Sequence, residues 1–324
     1  MIELNKITKT FRVAKRNAGL KESVKALFRK EYEEIRALSE VSFTIGEGEM
    51  VGYIGPNGAG KSSTIKIMSG VLTPDAGQCI INGRCPWKER KAHVKEIGVV
   101  FGQRSQLWWD APVLDSFELI RDIYSVTPET YQKNLKRLTE MLDIGEIRKT
   151  PVRQLSLGQR MRCEIAASLL HDPKILFLDE PTIGLDAVSK IAVRDFIKSI
   201  NREKGTTVIL TTHDMQDIEA LTDRILLIGK GKILLDGSLE ELKGKYSGNK
   251  LITVEYAGNL PALPENVAAL KNLDGHAELM ADMSKMPVSG LISLLSEAVE
   301  VKDISVTGES IDEMVVRLYK EFEI

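Results

Sequence analysis

The chain has 324 residues, 43% of them hydrophobic, with a formal net charge of -2. That length and composition support a full α/β core with a smaller second domain, and they argue against a disordered or disulfide-stapled chain. The near-neutral balance lacks the basic field of a nucleic-acid binder, and three cysteines without C-x-x-C spacing read as reduced thiols rather than metal ligands.

In chain order, the start MIELNKITKTF has no secretory apolar core, and no apolar run approaches the ~20 residues that span a bilayer. A role at a membrane therefore requires another chain to supply the span. From about 16 to 36, Leu20, Val24, Leu27, Phe28, Tyr32 and Ile35 recur at helical spacing with basic residues at the margins, which predicts an amphipathic helix. Such a helix either packs on the domain's own sheet or docks at a membrane surface or on a partner. The half-polar stretches ALSEVSFTI (37–45) and GQCIING (77–83) alternate with period two and predict an antiparallel layer. EMVGYIG (49–55), IGVVFG (97–102), KILFLDE (174–180), TVILTTH (207–213) and RILLIG (224–229) are short apolar runs separated by helix-like segments. Together they predict a buried, mainly parallel sheet flanked by helices.

Between Gln103 and Asp172 no strand pattern stands out, and PETYQKNLKRLTEMLDI (128–144) with the segment after Gly158 predicts a helical arm at about 104–172. GKYSGNK (244–250) is linker-like. Beyond it, LITVEYAG, PVSGLISLLSEAV, VKDISVTG and SIDEMVVRLYKEF predict strand, helix, strand and helix, the last opened by Ser310 and Glu313 in a capping-box pattern. The predicted domains are 1–243 and a small α/β domain at 244–324.

GPNGAGKSS (55–63) sits between an apolar strand and a helical pattern, the context that a G-x-x-x-x-G-K-[ST] phosphate loop needs. Gly55, Gly58 and Gly60 let backbone N–H groups approach a phosphate, Lys61 supplies a point charge across β- and γ-phosphates, and Ser62 a hydroxyl for Mg²⁺. Asp179, ending an apolar strand, suits the same metal through water, and Glu180 after it suits proton abstraction from an attacking water. His213 and Gln103 lie just past two further strands, where ligand-contacting groups collect. His213 reads as a γ-phosphate contact or as a structural histidine.

In this order, GPNGAGKSS, Gln103, LSLGQ (155–159), ILFLDE, GLD (184–186) and His213 resemble the nucleotide-binding domain of ABC-type ATPases, over roughly residues 1–240. The resemblance implies a P-loop ABC ATPase fold, ATP and Mg²⁺ as cofactors, and catalysis by Glu180, His213, Gln103 and Lys61. It implies nucleotide binding by Phe11 and by Gly55, Pro56, Asn57, Gly58, Ala59, Gly60, Lys61, Ser62 and Ser63, with Ser62, Gln103 and Asp179 at the metal. Ser156, Gly158 and Gln159 then complete the site of an opposite subunit, and Asp186 links the two sites or caps the following helix. The sequence departs from the family at Leu157, where a glycine is usual. Arg160 and Arg162 after it face either phosphate or solvent, and the solvated face is the favoured reading.

The tail and GQRSQLWWDAPVLDSFELI (102–120) resemble ATPase subunits of ABC-2-type bacterial exporters. That implies a second copy or a homologous ATPase subunit and integral-membrane permease subunits as partners, no nucleic acid, and a place on the cytoplasmic face of the cell membrane. Trp108 and Trp109 either line the groove for the permease or pack inside the arm. An importer subunit and a soluble ABC ATPase stay open as alternatives.

Overall fold

A computed structural model describes residues 1–14, 32–102, 104–241, 249–283, 285–308 and 311–322. Its centre is a six-stranded sheet built from the apolar runs: β3 (Met50–Ile54), β5 (Ile97–Phe101), β6 (Ile175–Asp179), β7 (Thr207–Thr211) and β8 (Arg224–Gly229), with β9 (Lys232–Ser238) at one edge, in the order β5-β6-β7-β3-β8-β9. The pairs from β5 to β8 are parallel, and the register sets Phe101 beside Asp179, Asp179 beside Thr211 and Tyr53 beside Thr211. The C-terminal ends of four strands thus form one edge, which is where an open α/β sheet collects its ligand. Lys230 and Gly231 both have positive φ (47° and 74°) in the two-residue turn joining β8 to β9, the geometry that matches strand twist in a hairpin.

A second, antiparallel sheet has the order β2-β1-β4, with β1 (Ile2–Ala14), β2 (Tyr32–Ile45) and β4 (Ala76–Ile81). Ile2, Leu4 and Ile7 of β1 are buried with Phe43, Ile45 and Tyr53 in one core. The predicted helix at 16–36 is corrected at its end: Tyr32 to Arg36 are strand, paired with Ala14 to Thr10, because the β1 backbone offers them a ladder that a helix would forgo. Tyr32 and Ile35 stand exposed on that ribbon, and Arg12 Nε donates to Glu34 Oε1 at 2.9 Å. Residues 16–31 of that prediction lie outside the described residues.

The helices follow local signals. α1 (Lys61–Met68) continues from the glycine-rich loop, and α2 (Arg90–His93) is a single turn. The arm comprises α3 (Val113–Tyr124), α4 (Pro128–Met141) and α5 (Leu157–Leu169); Thr127 caps α4 ahead of a proline at its first position. Arg162, expected in solvent, instead donates to the carbonyls of Leu142 (3.0 Å) and Asp143 (3.1 Å), where the end of α4 leaves acceptors open. α6 (Ala187–Lys204) buries Val193, Phe196, Ile197 and Ile200, the stripe of an amphipathic helix, and ends on Gly205. α7 (Met215–Leu221) is capped by Asp214. Among the described residues no helix is long and apolar enough to cross a membrane.

His171 fixes the arm to the sheet. Its ring stacks on Tyr124, with centroids 3.8 Å apart, and its Nε2 lies 2.9 Å from the Ile97 carbonyl. The Nδ1 is buried without a partner, so a second proton would bury an unpaired N–H. Burial, partly offset by the bond to Ile97, lowers this imidazole to about 4. The unfolded chain takes up the proton below about pH 6.5 and the folded chain does not, so stability is full above that pH and declines on acidification towards 4. Denaturant titrations at pH 7 and pH 5 should differ by at most about 2 kcal/mol from this group, and His171→Gln should remove that part of the difference.

The chain divides into two compact units, Met1–Asp236 and Gly237–Glu323; the predicted boundary at 243/244 and most of the linker-like stretch fall in 242–248, outside the described residues. The second unit is a four-stranded antiparallel sheet, β11-β12-β10-β13, with β10 (Asn249–Ala257), β11 (Val267–Leu273), β12 (His276–Asp282) and β13 (Glu300–Gly308). Leu291 and Leu295 of α8 (Val288–Ala298) join Ile252, Val254 and Leu279 in its core. α9 (Ile311–Glu321) follows; the predicted cap at Ser310 lies outside the described residues. The predicted strand, helix, strand and helix are present, and β11 and β12 are additional to them.

Candidate functional site

A cavity of about 610 Å³ opens at the C-terminal edge of the six-stranded sheet. Pro56, Asn57, Gly58, Gly60, Lys61, Ser62 and Ser63 line one side, and Asp179, Glu180 and His213 the other. Gly60 has φ +115°, and a Cβ there would stand 2.7 Å from the Ala37 carbonyl oxygen; at Gly55 a Cβ would meet the Ile228 carbonyl oxygen at 2.2 Å. Only glycine fits these two positions, so the loop's shape follows from its composition. Gly55 and Ala59 support the loop from behind rather than line the cavity.

Lys61 is 7% exposed, and its Nζ donates to the carbonyls of Gly55 (2.6 Å) and Pro56 (3.2 Å). Burial pulls its pKa down, opposed by the nearby carboxylates of Glu180 and Asp179. Asp179 joins three elements: Thr211 Oγ1 donates to its Oδ1 at 2.5 Å and Ser62 Oγ to its Oδ2 at 3.2 Å. A hydroxyl facing a carboxylate fits Mg²⁺, which takes few protein oxygens and completes its shell with water and phosphate. No group of three acidic, histidine or cysteine side chains poised for a metal occurs among the described residues.

Glu180 has φ +55°, a left-handed conformation that costs a non-glycine residue about 1–2 kcal/mol. Its N–H donates to Thr211 O at 2.9 Å, and its Oε1 lies 3.4 Å from His213 Nδ1. The His213 side chain is 62% exposed and the Glu180 side chain 20%, so the imidazole reaches outward over a partly sheltered carboxylate.

Other predicted residues stand apart. Phe11 is half-exposed on β1 opposite Ile35, with Lys9 Nζ 5.8 Å from its ring, and does not line the cavity; Ala37 of β2 does. Gln103 lies outside the described residues. Ser156 caps α5 in a complete capping box: its Oγ accepts from Gln159 N at 3.2 Å, and its own N–H donates to Gln159 Oε1 at 2.9 Å. Neither Ser156, Gly158, Gln159 nor Asp186 lines this chain's cavity. Asp186 caps α6, accepting from Ser189 N at 2.9 Å and Ser189 Oγ at 2.7 Å. Leu157 Cδ2 lies over Gly184 (φ +69°), 2.7 Å from where a Cβ would be, and a Cβ on Gly158 would stand 2.6 Å from Ser189 Oγ. The turn opening α5 is thus seated on the turn that follows β6.

Lys66, one helical turn beyond Ser62, and Arg104 also line the cavity and were missed by the sequence reading. The i, i+4 spacing from Ser62 was the available signal for Lys66; Thr211 carried none, because its role comes from strand register.

The ABC transporter family model matches residues 38–183. The chain is 31% identical over 298 residues to the daunorubicin resistance ATP-binding protein DrrA3 of Streptomyces coeruleorubidus, covering 89% of this chain and 93% of that protein. This chain belongs to the ABC transporter ATP-binding family. The linearmycin resistance ATP-binding protein LnrL of Bacillus subtilis is 30% identical, over 83% of this chain and 88% of its own length. Among solved structures, the dimeric post-hydrolysis state of the ATP-binding cassette MJ0796 bound to ADP and Pi superposes with a TM-score of 0.62 at 28% identity, over 74% of this chain and 99% of that one. This ABC protein is an ATPase that powers transport, and its fold is the P-loop ABC cassette with an added C-terminal unit.

Proposed function

We propose that this ATPase binds MgATP in the cavity beside Lys61, dimerises head to tail around two nucleotides, and drives a membrane permease of the ABC-2 exporter type from the cytoplasmic face. The observation that carries the dimer is the location of the LSLGQ turn. Its serine, its glycine and the α5 N-terminus form an anion-binding end, yet none of them faces the chain's own cavity. A second copy, or a homologous ATPase subunit, supplies the nucleotide they lack.

Within each site, Ser62 and Asp179 would hold the magnesium ion, which neutralises charge on the phosphates. Lys61 binds the phosphates, Glu180 accepts the proton of the attacking water, and His213 contacts the γ-phosphate. The family resemblance gives Gln103 a role at the metal and the nucleophile, and gives the Phe11 ring, which does not line the cavity, a role at the adenine. Exporter assignment is supported by relatives named for daunorubicin and linearmycin resistance. Trp108 and Trp109, both about half-exposed at the start of the arm, fit a permease-facing surface, with Arg160 5.7 Å from the Trp109 ring.

Ser156→Arg tests the dimer. Bulk and positive charge at this donor should block ATP-driven association of a Glu180→Gln background while leaving nucleotide affinity of the single subunit unchanged. Equal ATP-dependent dimerisation with and without Ser156→Arg in sedimentation equilibrium would refute the cross-subunit site. Copurification with the permease encoded alongside, and the direction of transport in vesicles, test the exporter reading.

A further inference from the structure

The loops carrying Glu180 and His213 are tied together by one buried carboxylate that does not line the cavity. Asp217, in α7, is 0% exposed. Its Oδ2 accepts hydrogen bonds from Thr182 Oγ1 and, at 3.3 Å, from Thr212 Oγ1. Its Oδ1 accepts from Arg194 Nε at 2.6 Å. Thr182 stands two residues after Glu180, and Thr212 directly precedes His213. Both threonines are 2% exposed, so loss of Asp217 as acceptor would leave their hydroxyls with little access to water.

The backbone shows why such a tie is needed. Glu180 holds its left-handed φ only while its surroundings impose it. The turn after it is fixed by Ile183 N donating to Glu180 O at 3.3 Å and by the Thr182 hydroxyl on Asp217. From the other side α6 holds the end of the His213 loop through Lys190 paired with Asp214, and the following helix α7 through Arg194 Nη2 at 2.5 Å from Asp217 Oδ1.

We propose that Asp217 is a positioning residue for hydrolysis: through Thr182 and Thr212 it sets the separation and orientation of the Glu180 carboxylate and the His213 imidazole. The proposal rests on the assignment of Glu180 as proton acceptor and His213 as phosphate contact. A purely structural salt bridge between Arg194 and Asp217 would hold the fold without governing that geometry. Thr182→Val separates the two, because it removes one hydroxyl and leaves the ion pair in place.

The experiment measures kcat, KM for ATP and Tm of the purified full chain for Thr182→Val, Thr182→Ser and Glu180→Gln. Thr182→Val should lower kcat roughly 10- to 100-fold, the scale of a misplacement near 1 Å, while KM and Tm stay near wild type. Thr182→Ser keeps the hydroxyl and should restore turnover. If Thr182→Val retains kcat within about twofold while Glu180→Gln is inactive, Asp217 does not position the site. Loss of kcat in step with Tm, without rescue by serine, would likewise assign the network to folding alone. Near-normal turnover of Glu180→Gln would remove the proton-acceptor assignment itself, and this proposal with it.

Discussion

Glu180→Gln is expected to slow ATP hydrolysis roughly 10²- to 10⁴-fold while ATP still binds, because an amide keeps the shape of the carboxylate but cannot accept a proton. The substitution leaves the surroundings intact: the φ of +55° is a backbone property, and the N–H bond to Thr211 O at 2.9 Å does not involve the side chain. Bound ATP should then outlast its normal cycle, and the closed dimer should accumulate when ATP is added. Steady-state phosphate release and size-exclusion chromatography with and without ATP check both halves. Near-normal turnover would show that another group takes the proton. His213→Ala should also depress turnover and spare binding, since the imidazole is the outermost of the cavity's three polar side chains opposite the phosphate loop.

Lys61→Ala should cost more in binding than in folding. In the wild type the ammonium is 7% exposed and already held by the carbonyls of Gly55 and Pro56, so it stands in the loop before any phosphate arrives. Truncating one member of a buried, hydrogen-bonded charge pair costs about 2–5 kcal/mol, which corresponds to roughly 30- to 4,000-fold in Kd. The same change also leaves two loop carbonyls without their donor, so the apo loop should loosen. Equilibrium binding of a fluorescent ATP analogue measures the loss, and a Kd within about twofold of wild type would show that the cation is not a phosphate ligand here.

The parts of the fold that the sequence announced are those whose physics is local. Buried parallel strands need unbroken apolar runs, and KILFLD and TVILT supply them with clear stops. The phosphate loop was legible because its stereochemistry requires glycine where Gly60 and Gly55 stand. β1 was hidden by its own irregularity: Ile2, Leu4 and Ile7 are buried, but the register shifts between Leu4 and Ile7, where Lys6 has φ +50°, so the alternation breaks. β11 was hidden because only Val267 of its seven residues is buried, leaving no periodic face to read. The helical spacing assigned to 16–36 carried on into Tyr32 and Ile35, which in the fold are held by long-range pairing with β1. Asp217 could not be found at all from a linear reading, since its partners Thr182 and Arg194 come from other elements.

The seat of Leu157 over Gly184 has a mechanical consequence. The arm and the turn after β6 meet at a joint where the partly exposed Leu157 side chain lies against Gly184, an approach that exists only because position 184 carries no side chain. An alanine at 184 would wedge the joint open, and a glycine at 157 would leave it slack: two opposite lesions of one bearing, distinguishable by whether the arm's rest position or its freedom of movement has changed.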